Sequence, residues 1–421
     1  MKNLLFYFVS LSIITSTMLI TFRFKNFTSY KEEAYFNMTA IKSFKELAST
    51  NVINTTRDFS LLKTAAIYGS NGGGKSNFMK AIAFMGQLMR LSYSESLKKE
   101  EERGRTDYYF KLSSQTEVQP TLFEVTFLSD NIIYRYGFEV KGFDILSEWF
   151  YKKNGKEVCL FKRQGTDFSI HKTEFADGTK YKNNVNSNVL LASYLAQNNS
   201  KDIQPLLHFF MNINVISGLD DAFYQKVTKT LYKELPEFKI WLSYALRFLE
   251  ISQIGISKED HLLVFHNKYD ENSFIIDSVP FALEEESDGT QKLIYLLGAV
   301  YDTLLNSRVL FIDELDSKLH PNLSWKLFQL FQEFNRKGAQ FVFTAHDANL
   351  LDKDILRRDQ IWFVDRDQFG ASHLYSLSDF DAKVVRNSSD FRKKYLASTF
   401  GAAESMDITS NMIDLMYGKE E

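Results

Sequence analysis

The chain has almost no cysteine: Cys159 stands alone among 421 residues. One thiol excludes an internal disulfide framework and any cysteine-based metal site, and it suits a reducing compartment, so the chain reads as cytoplasmic. An excess of one charge is also missing. With a formal net charge of −3, no overall positive field draws nucleic acid, and any such contact must be a local patch. Repeats and low-complexity tracts are absent. The amino-terminal apolar run, Leu4 to Ile14 behind Lys2, is shorter than the roughly 20 residues a membrane span needs. It superficially resembles a signal peptide, but no small-x-small cleavage site follows it. Residues 1–17 are therefore read as an upstream extension or misassigned start, with a short membrane-associated helix and export as alternatives.

What is present is concentrated in one octapeptide, Gly69-Ser70-Asn71-Gly72-Gly73-Gly74-Lys75-Ser76, followed by Asn77. It fits the phosphate-loop pattern and sits between an apolar run, Ala65 to Tyr68, and a helix-like stretch. Closely spaced glycines let the backbone turn its N–H groups inward around phosphate oxygens, and the following helix adds the positive end of its dipole. Lys75 would reach the β and γ phosphates of ATP, and Ser76 would offer its hydroxyl to Mg²⁺. The competing reading is a glycine-rich surface turn.

The length suggests two or three domains or one large α/β unit with insertions. Ile20, Phe22 and Phe24 alternate with Thr21, Arg23 and Lys25 as in a half-buried strand, and Phe78, Ile82, Met85 and Met89 recur at helical spacing. The run Lys98 to Arg105 reads as a solvated loop or frayed helix end. From Thr121 to about Ile170 the pattern is of antiparallel hairpins with turns at Asp130-Asn131 and Asn154-Gly155. Between about Asn183 and Leu249 it turns helical, with Phe223, Val227, Leu231 and Leu235 on one face and Trp241, Ala245 and Leu249 on another. Strand and helix alternate again from Glu284 to Leu377, which implies a parallel sheet covered by helices. The division expected is 1–17 extension, 18–180 first part of the nucleotide-binding head with an antiparallel subdomain, 181–280 inserted helical lobe and connecting segment, 281–400 second part of the head, and 401–421 tail.

Further segments complete a nucleotide site. The strand Val309 to Ile312 ends in Asp313-Glu314, at the sheet end where ligand sites of open α/β folds lie. Asp313 would hold Mg²⁺ through water, and Glu314 would orient and deprotonate the attacking water. The strand Phe341 to Thr344 ends in Ala345-His346, and a histidine there can donate a hydrogen bond to charge developing on a γ-phosphate. Ser287 and the backbone at Gly289 open a helix that begins near Gln291, as a second anion-binding helix start or as an ordinary cap.

These segments resemble ABC-type ATPases, and in particular the stand-alone, non-transporter AAA-type group (AAA15), akin to SMC and RecF proteins. The likeness is carried by FRFKNFTSY from Phe22, YGSNGGGKSN from Tyr68, ESDGTQKL from Glu286, LFIDELDSKLHP from Leu310, FVFTAHDANLLD from Phe341 and RRDQIWFVDRD from Arg357. The resemblance implies an α/β phosphate-loop ATPase head with a mixed sheet, an antiparallel β subdomain and an inserted helical lobe. It also implies a head-to-tail homodimer in which Ser287 and Gly289 of one subunit cap the ATP held by the other. Two departures stand out: SDGTQ replaces the S-G-G-Q core of transporters, and His320 stands where SMC proteins usually have an aspartate. Neither Gln115 nor Gln119 marks a glutamine loop.

Three roles follow from the resemblance. The first is a sensor or regulator of a separately encoded effector, a TOPRIM-type nuclease or other toxin, in anti-phage abortive infection. The second is a DNA-binding repair ATPase of the RecF or SMC kind, with Lys98-Lys99 and Arg392-Lys393-Lys394 as candidate phosphate contacts. The third, an energy subunit for transport, lacks the orthodox signature and glutamine loop, and no stable membrane partner is expected.

Overall fold

The computed structural model describes residues 17–102, 104, 108–217, 222–381, 383–386 and 389–403. Residues 1–16 of the segment 1–17 expected as an extension, parts of the Lys98–Arg105 run, the side chain of Phe223 and residues 404–421 lie outside that description. Two large sheets dominate. In the strand Thr17–Lys25, Ile20, Phe22 and Phe24 are buried while Thr21, Arg23 and Lys25 are half-buried, as the alternation requires. This strand sits in a seven-stranded antiparallel sheet with the order 167–170, 156–164, 144–154, 132–141, 121–129, 17–25 and 34–37. The hairpin turn at Asp130-Asn131 has both residues at positive φ, 48° and 62°, the twist a tight two-residue connection favours.

The second sheet has six strands in the order 213–217, 309–313, 340–344, 64–69, 361–366 and 372–376. The first five pair in parallel and the last pair is antiparallel. Both faces of its central strands are covered, so those strands are mostly apolar. Ala65, Ile67, Val309, Phe311, Val342 and Val364 face the core shared with the antiparallel sheet and the helix Lys75–Ser96. Their neighbours Ala66, Tyr68, Leu310, Ile312, Phe343 and Phe363 face a second core beneath the helices Asp288–Leu305 and Pro321–Glu333. Gln340, fully buried, stitches the sheets together: its Oε1 accepts from Leu19 N at 2.6 Å, and its Nε2 donates to the carbonyls of Leu19 and Leu62.

The stretch expected to be helical from about 183 to 249 is only partly so. The helices Leu191–Gln197 and Gln204–Met211 pack on the first core, and then the strand Ile213–Ser217 enters the parallel sheet beside Val309–Asp313. A short buried strand has no alternation to distinguish it from a helix segment. The helices Ala222–Glu234 and Pro236–Ala245 follow, and the chain then forms a three-stranded antiparallel sheet, 251–256, 262–269 and 275–282, that the sequence reading did not identify. The helix placed from Gln291 starts earlier, at Asp288.

Glu148 and Arg163 are both fully buried on the antiparallel sheet. Glu148 accepts from Leu191 N at 2.7 Å, Ala192 N at 3.0 Å and the Tyr136 hydroxyl at 2.9 Å, and so caps the helix at Leu191. Burial pushes its carboxyl above the usual range, against the opposing pull of Arg163 and the two amides. Glu148→Ala leaves those amides and a buried guanidinium without their carboxylate. The expected cost is about 3 kcal/mol, measured by urea unfolding, with a smaller loss for Glu148→Gln, which keeps one acceptor.

Candidate functional site

The phosphate-loop segment follows the fully buried strand Thr64–Gly69 and leads into the helix Lys75–Ser96, so its glycines join two rigid elements. Gly74 has φ 122°, and a Cβ there would lie 2.8 Å from the Ser372 Cβ, so no other residue fits. Among the described residues, the N–H groups of Gly72, Gly74, Ser76 and Asn77 have no protein acceptor. These are the donors a helix start leaves open. Lys75 is buried, and its Nζ arches back to the carbonyls of Gly69 at 2.7 Å and Ser70 at 3.1 Å.

Three residues the sequence reading did not single out support this turn. The Tyr30 hydroxyl donates to Gly74 O at 3.1 Å, and the Ser372 hydroxyl donates to Gly73 O at 2.5 Å and lies 2.7 Å from Ser29 Oγ, from which it accepts. Asn77 Nδ2 also donates to Ser29 Oγ, at 2.9 Å. Ser29 and Tyr30 lie in a segment that carried the family likeness, whereas nothing in the sequence pointed to Ser372.

Strand register delivers the acidic pair to the same end. Ile312 pairs with Phe343, and Thr344 pairs with Ile67, so two parallel spacings, about 10 Å, separate the acidic strand from the loop strand. Thr344 is the link. Its hydroxyl donates to Asp313 Oδ1 at 2.6 Å and accepts from Glu314 N at 2.7 Å. Glu314 itself has φ 55°, a left-handed turn immediately after the strand. Asp316, not named from the sequence, accepts from His346 N at 2.8 Å and Asp347 N at 2.5 Å through Oδ2, which holds the loop after Thr344 against the acidic turn. The His346 ring is exposed. Burial, together with Asp316 and Asp347, pushes the Tyr68 hydroxyl well above its ordinary pKa.

Ser287 and Gly289 have a different setting. Ser287 caps the helix Asp288–Leu305 by accepting from Thr290 N at 3.2 Å, and it is exposed. A Cβ on Gly289 would come 2.7 Å from the Lys318 carbonyl. One turn further, Lys292 is 3% exposed, and its Nζ donates to the carbonyls of Glu314 at 3.1 Å, Leu315 at 3.3 Å and Ser317. The structure thus ties the Ser287 helix to the turn after Asp313. The hydrogen bonds of Ser287 stay within its own first turn rather than reaching residues 69–77. His320 caps the helix Pro321–Glu333, with Nδ1 accepting from Asn322 N at 3.2 Å. Gln115 and Gln119 are both exposed.

The donor set fits a magnesium-bound triphosphate. Open N–H groups and an ammonium face one turn, while a hydroxyl at Ser76 and a carboxylate at Asp313 stand at the same sheet end. Among the described residues no cluster of His, Cys, Asp and Glu is built to hold a metal alone. That matches Mg²⁺, which is usually held by one or two carboxylates together with substrate phosphates and water. Among the same residues no helix is long and apolar enough to cross a membrane.

Lys292→Met keeps the stem but removes the donor from three carbonyls. Amide exchange over residues 314–318 should accelerate by at least about tenfold, with stability lowered by about 2 kcal/mol. Hydrogen-exchange mass spectrometry reads the first and urea unfolding the second.

Comparison with curated proteins returns no match. Among solved structures the chain is similar to an SMC head domain from Thermotoga maritima, at 15% identity over 85% of this chain and 98% of that one, with a TM-score of 0.41. It is also similar to an Smc head bound to the C-terminal winged-helix domain of ScpA, at 14% identity over 85% and 97%, with a TM-score of 0.42. A third is an Smc head with an extended coiled coil bound to the C-terminal domain of ScpA from Pyrococcus furiosus, at 14% identity over 86% and 96%, with a TM-score of 0.38. A family model described as "AAA domain, putative AbiEii toxin, Type IV TA system" matches residues 65–352, which run from the phosphate-loop strand through the acidic turn to the loop after His346. Since that match spans more than half of the sequence, the chain belongs to this AAA-domain family.

Proposed function

We propose that the chain is a Mg²⁺-dependent ATPase that dimerises around ATP and regulates a separately encoded effector, a TOPRIM-type nuclease or another toxin, in anti-phage defence. The observation that carries the ATPase reading is the shared parallel register, in which the 69–77 loop, Asp313-Glu314 and His346 all leave the same sheet end. Lys75 and the open N–H groups of Gly72, Gly74 and Ser76 would bind the triphosphate, with Gly69, Ser70, Asn71, Gly73 and Asn77 shaping the turn. Ser76 and Asp313 would hold Mg²⁺, which supplies charge neutralisation. Glu314 would orient and deprotonate water, and His346 would donate to the γ-phosphate. Positioning and electrostatics supply most of the acceleration in phosphoryl transfer.

The helix start at Ser287 and Gly289 supports a role in capping nucleotide on a second subunit, since Ser287 is exposed, Gly289 is half-buried and the helix is backed by Lys292. A family description that names a putative toxin of a type IV toxin–antitoxin system supports the defence setting. The basic clusters that a DNA-binding reading would use are partly engaged already: Lys98 pairs with Glu95 at 2.5 Å, and Lys394 donates to the Val384 carbonyl.

Glu314→Gln should bind ATP, hydrolyse it at least about 100-fold more slowly, and accumulate as a dimer by light scattering. Lys75→Ala should lose nucleotide binding itself. An equimolar mixture of Lys75→Ala and Ser287→Arg, each inactive alone, should recover part of the turnover, because one composite site in the mixed dimer keeps both intact halves. Unchanged turnover in Glu314→Gln would falsify the assignment of the base, and absence of recovery in the mixture would remove the sandwich.

A further inference from the structure

The side chains behind the phosphate turn form a hydrogen-bond chain that can run in one direction only. Gly73 O can only accept, so the single proton of the Ser372 hydroxyl goes to it. The contact between Ser372 Oγ and Ser29 Oγ, at 2.7 Å, must then use the proton of Ser29. That makes Ser29 Oγ an acceptor toward its other neighbour, and Asn77 Nδ2 donates to it at 2.9 Å. With the Asn77 amide turned about, one of the two contacts of Ser29 would hold no proton. The order Asn77, Ser29, Ser372, Gly73 O therefore has a fixed polarity, and hydrogen bonds aligned in this way strengthen one another.

The members come from three places: the helix Lys75–Ser96, the segment after the strand Thr17–Lys25 of the antiparallel sheet, and the strand Ser372–Ser376 of the parallel sheet. Ser372 N also donates to Ser29 O at 2.8 Å, so backbone fixes the distance between the two hydroxyls. Ser372 is 2% exposed, which keeps water from competing for its proton. The chain ends on one particular peptide. Gly73 O and Gly74 N belong to the same planar unit, and among the described residues that N–H has no protein acceptor. A donor fixed at the oxygen of a rigid unit aims the N–H at its other end. It also draws charge toward the oxygen, which makes the N–H a stronger donor.

We infer that Ser372 is a positioning residue for phosphate binding: at the end of the chain from Asn77 and Ser29 it holds the Gly73–Gly74 peptide so that the Gly74 N–H is aimed and polarised toward phosphate oxygen. This rests on the ATPase reading and adds to it a determinant of nucleotide affinity that lies 299 residues from Gly73 in the chain. An N–H that meets the bound phosphate before and during transfer alike contributes to binding, so its loss raises KM and leaves kcat in place.

The test uses the full chain, with ATP and ADP affinities from titration calorimetry, steady-state ATP hydrolysis and urea unfolding measured on the same samples. Ser372→Ala should weaken both nucleotides and raise the KM for ATP by about tenfold, with kcat changed by less than about twofold. Ser29→Ala, at a half-buried position, should act in the same direction. The double variant should be no worse than Ser372→Ala, because one break already interrupts the chain. Three results overturn the inference: an unchanged KM in Ser372→Ala, a loss confined to kcat or to unfolding stability, or effects of the two substitutions that multiply in the double variant. The two readings separate on the unsubstituted chain. If it binds neither nucleotide, the ATPase reading fails and takes this role with it, whereas if it binds both and Ser372→Ala binds them equally, only the role of Ser372 is lost.

Discussion

Thr344 is the point through which the candidate site is assembled. Its strand lies between the phosphate-loop strand and the acidic strand, and its hydroxyl takes the amide of Glu314 while giving its proton to Asp313. The backbone on either side continues the same tie, with Ala345 N donating to Ile67 O and Leu315 N to Thr344 O. A shift of one residue in this register would turn every side chain to the opposite face and separate the carboxylates from the loop. Two apolar cores enforce the register, because alternate residues of these strands belong to different clusters.

Around that point the molecule is held by buried and half-buried polar side chains that bind backbone. Lys292 holds the turn from Glu314 to Ser317, Asp316 holds the amides of His346 and Asp347, and Gln340 holds the two sheets together. Lys292 and Asp316 each fix a loop that has no regular hydrogen-bond ladder of its own, and Gln340 binds Leu19 where the register of its strand shifts. The left-handed backbone at Glu314 and Lys318 costs on the order of 1 kcal/mol per residue, which such contacts offset. Motion of the Ser287 helix, of the acidic turn and of the His346 loop is therefore coupled through a few specific bonds.

Much of this was legible in the residues. The alternation at Thr17–Lys25, the stripe at Phe78, Ile82, Met85 and Met89, the hairpins from Thr121 and the strands at 309 and 341 all appear where their patterns placed them. The strand Ile213–Ser217 did not reveal itself, because a short apolar run has no period of its own, and the sheet at 251–282 was hidden because its last strand is exposed on both faces. Ser29, Tyr30 and Ser372 were illegible as a group, since they meet only when strands far apart in the chain come together behind the glycine turn.

The order of residues alone determined the chemistry available: a turn of glycines with Lys75 and Ser76, a strand ending in two carboxylates, and a histidine closing the next strand. Those are local facts, written in spacing that secondary structure obeys. Tertiary structure decided which groups meet. Asp316, Thr344 and Lys292 act on backbone atoms of other segments, and backbone atoms carry no sequence signature. The exposure of Phe274, Ile275 and Ile276 is likewise a property of what the fold leaves uncovered, since the same residues would read as core had another strand been folded over them.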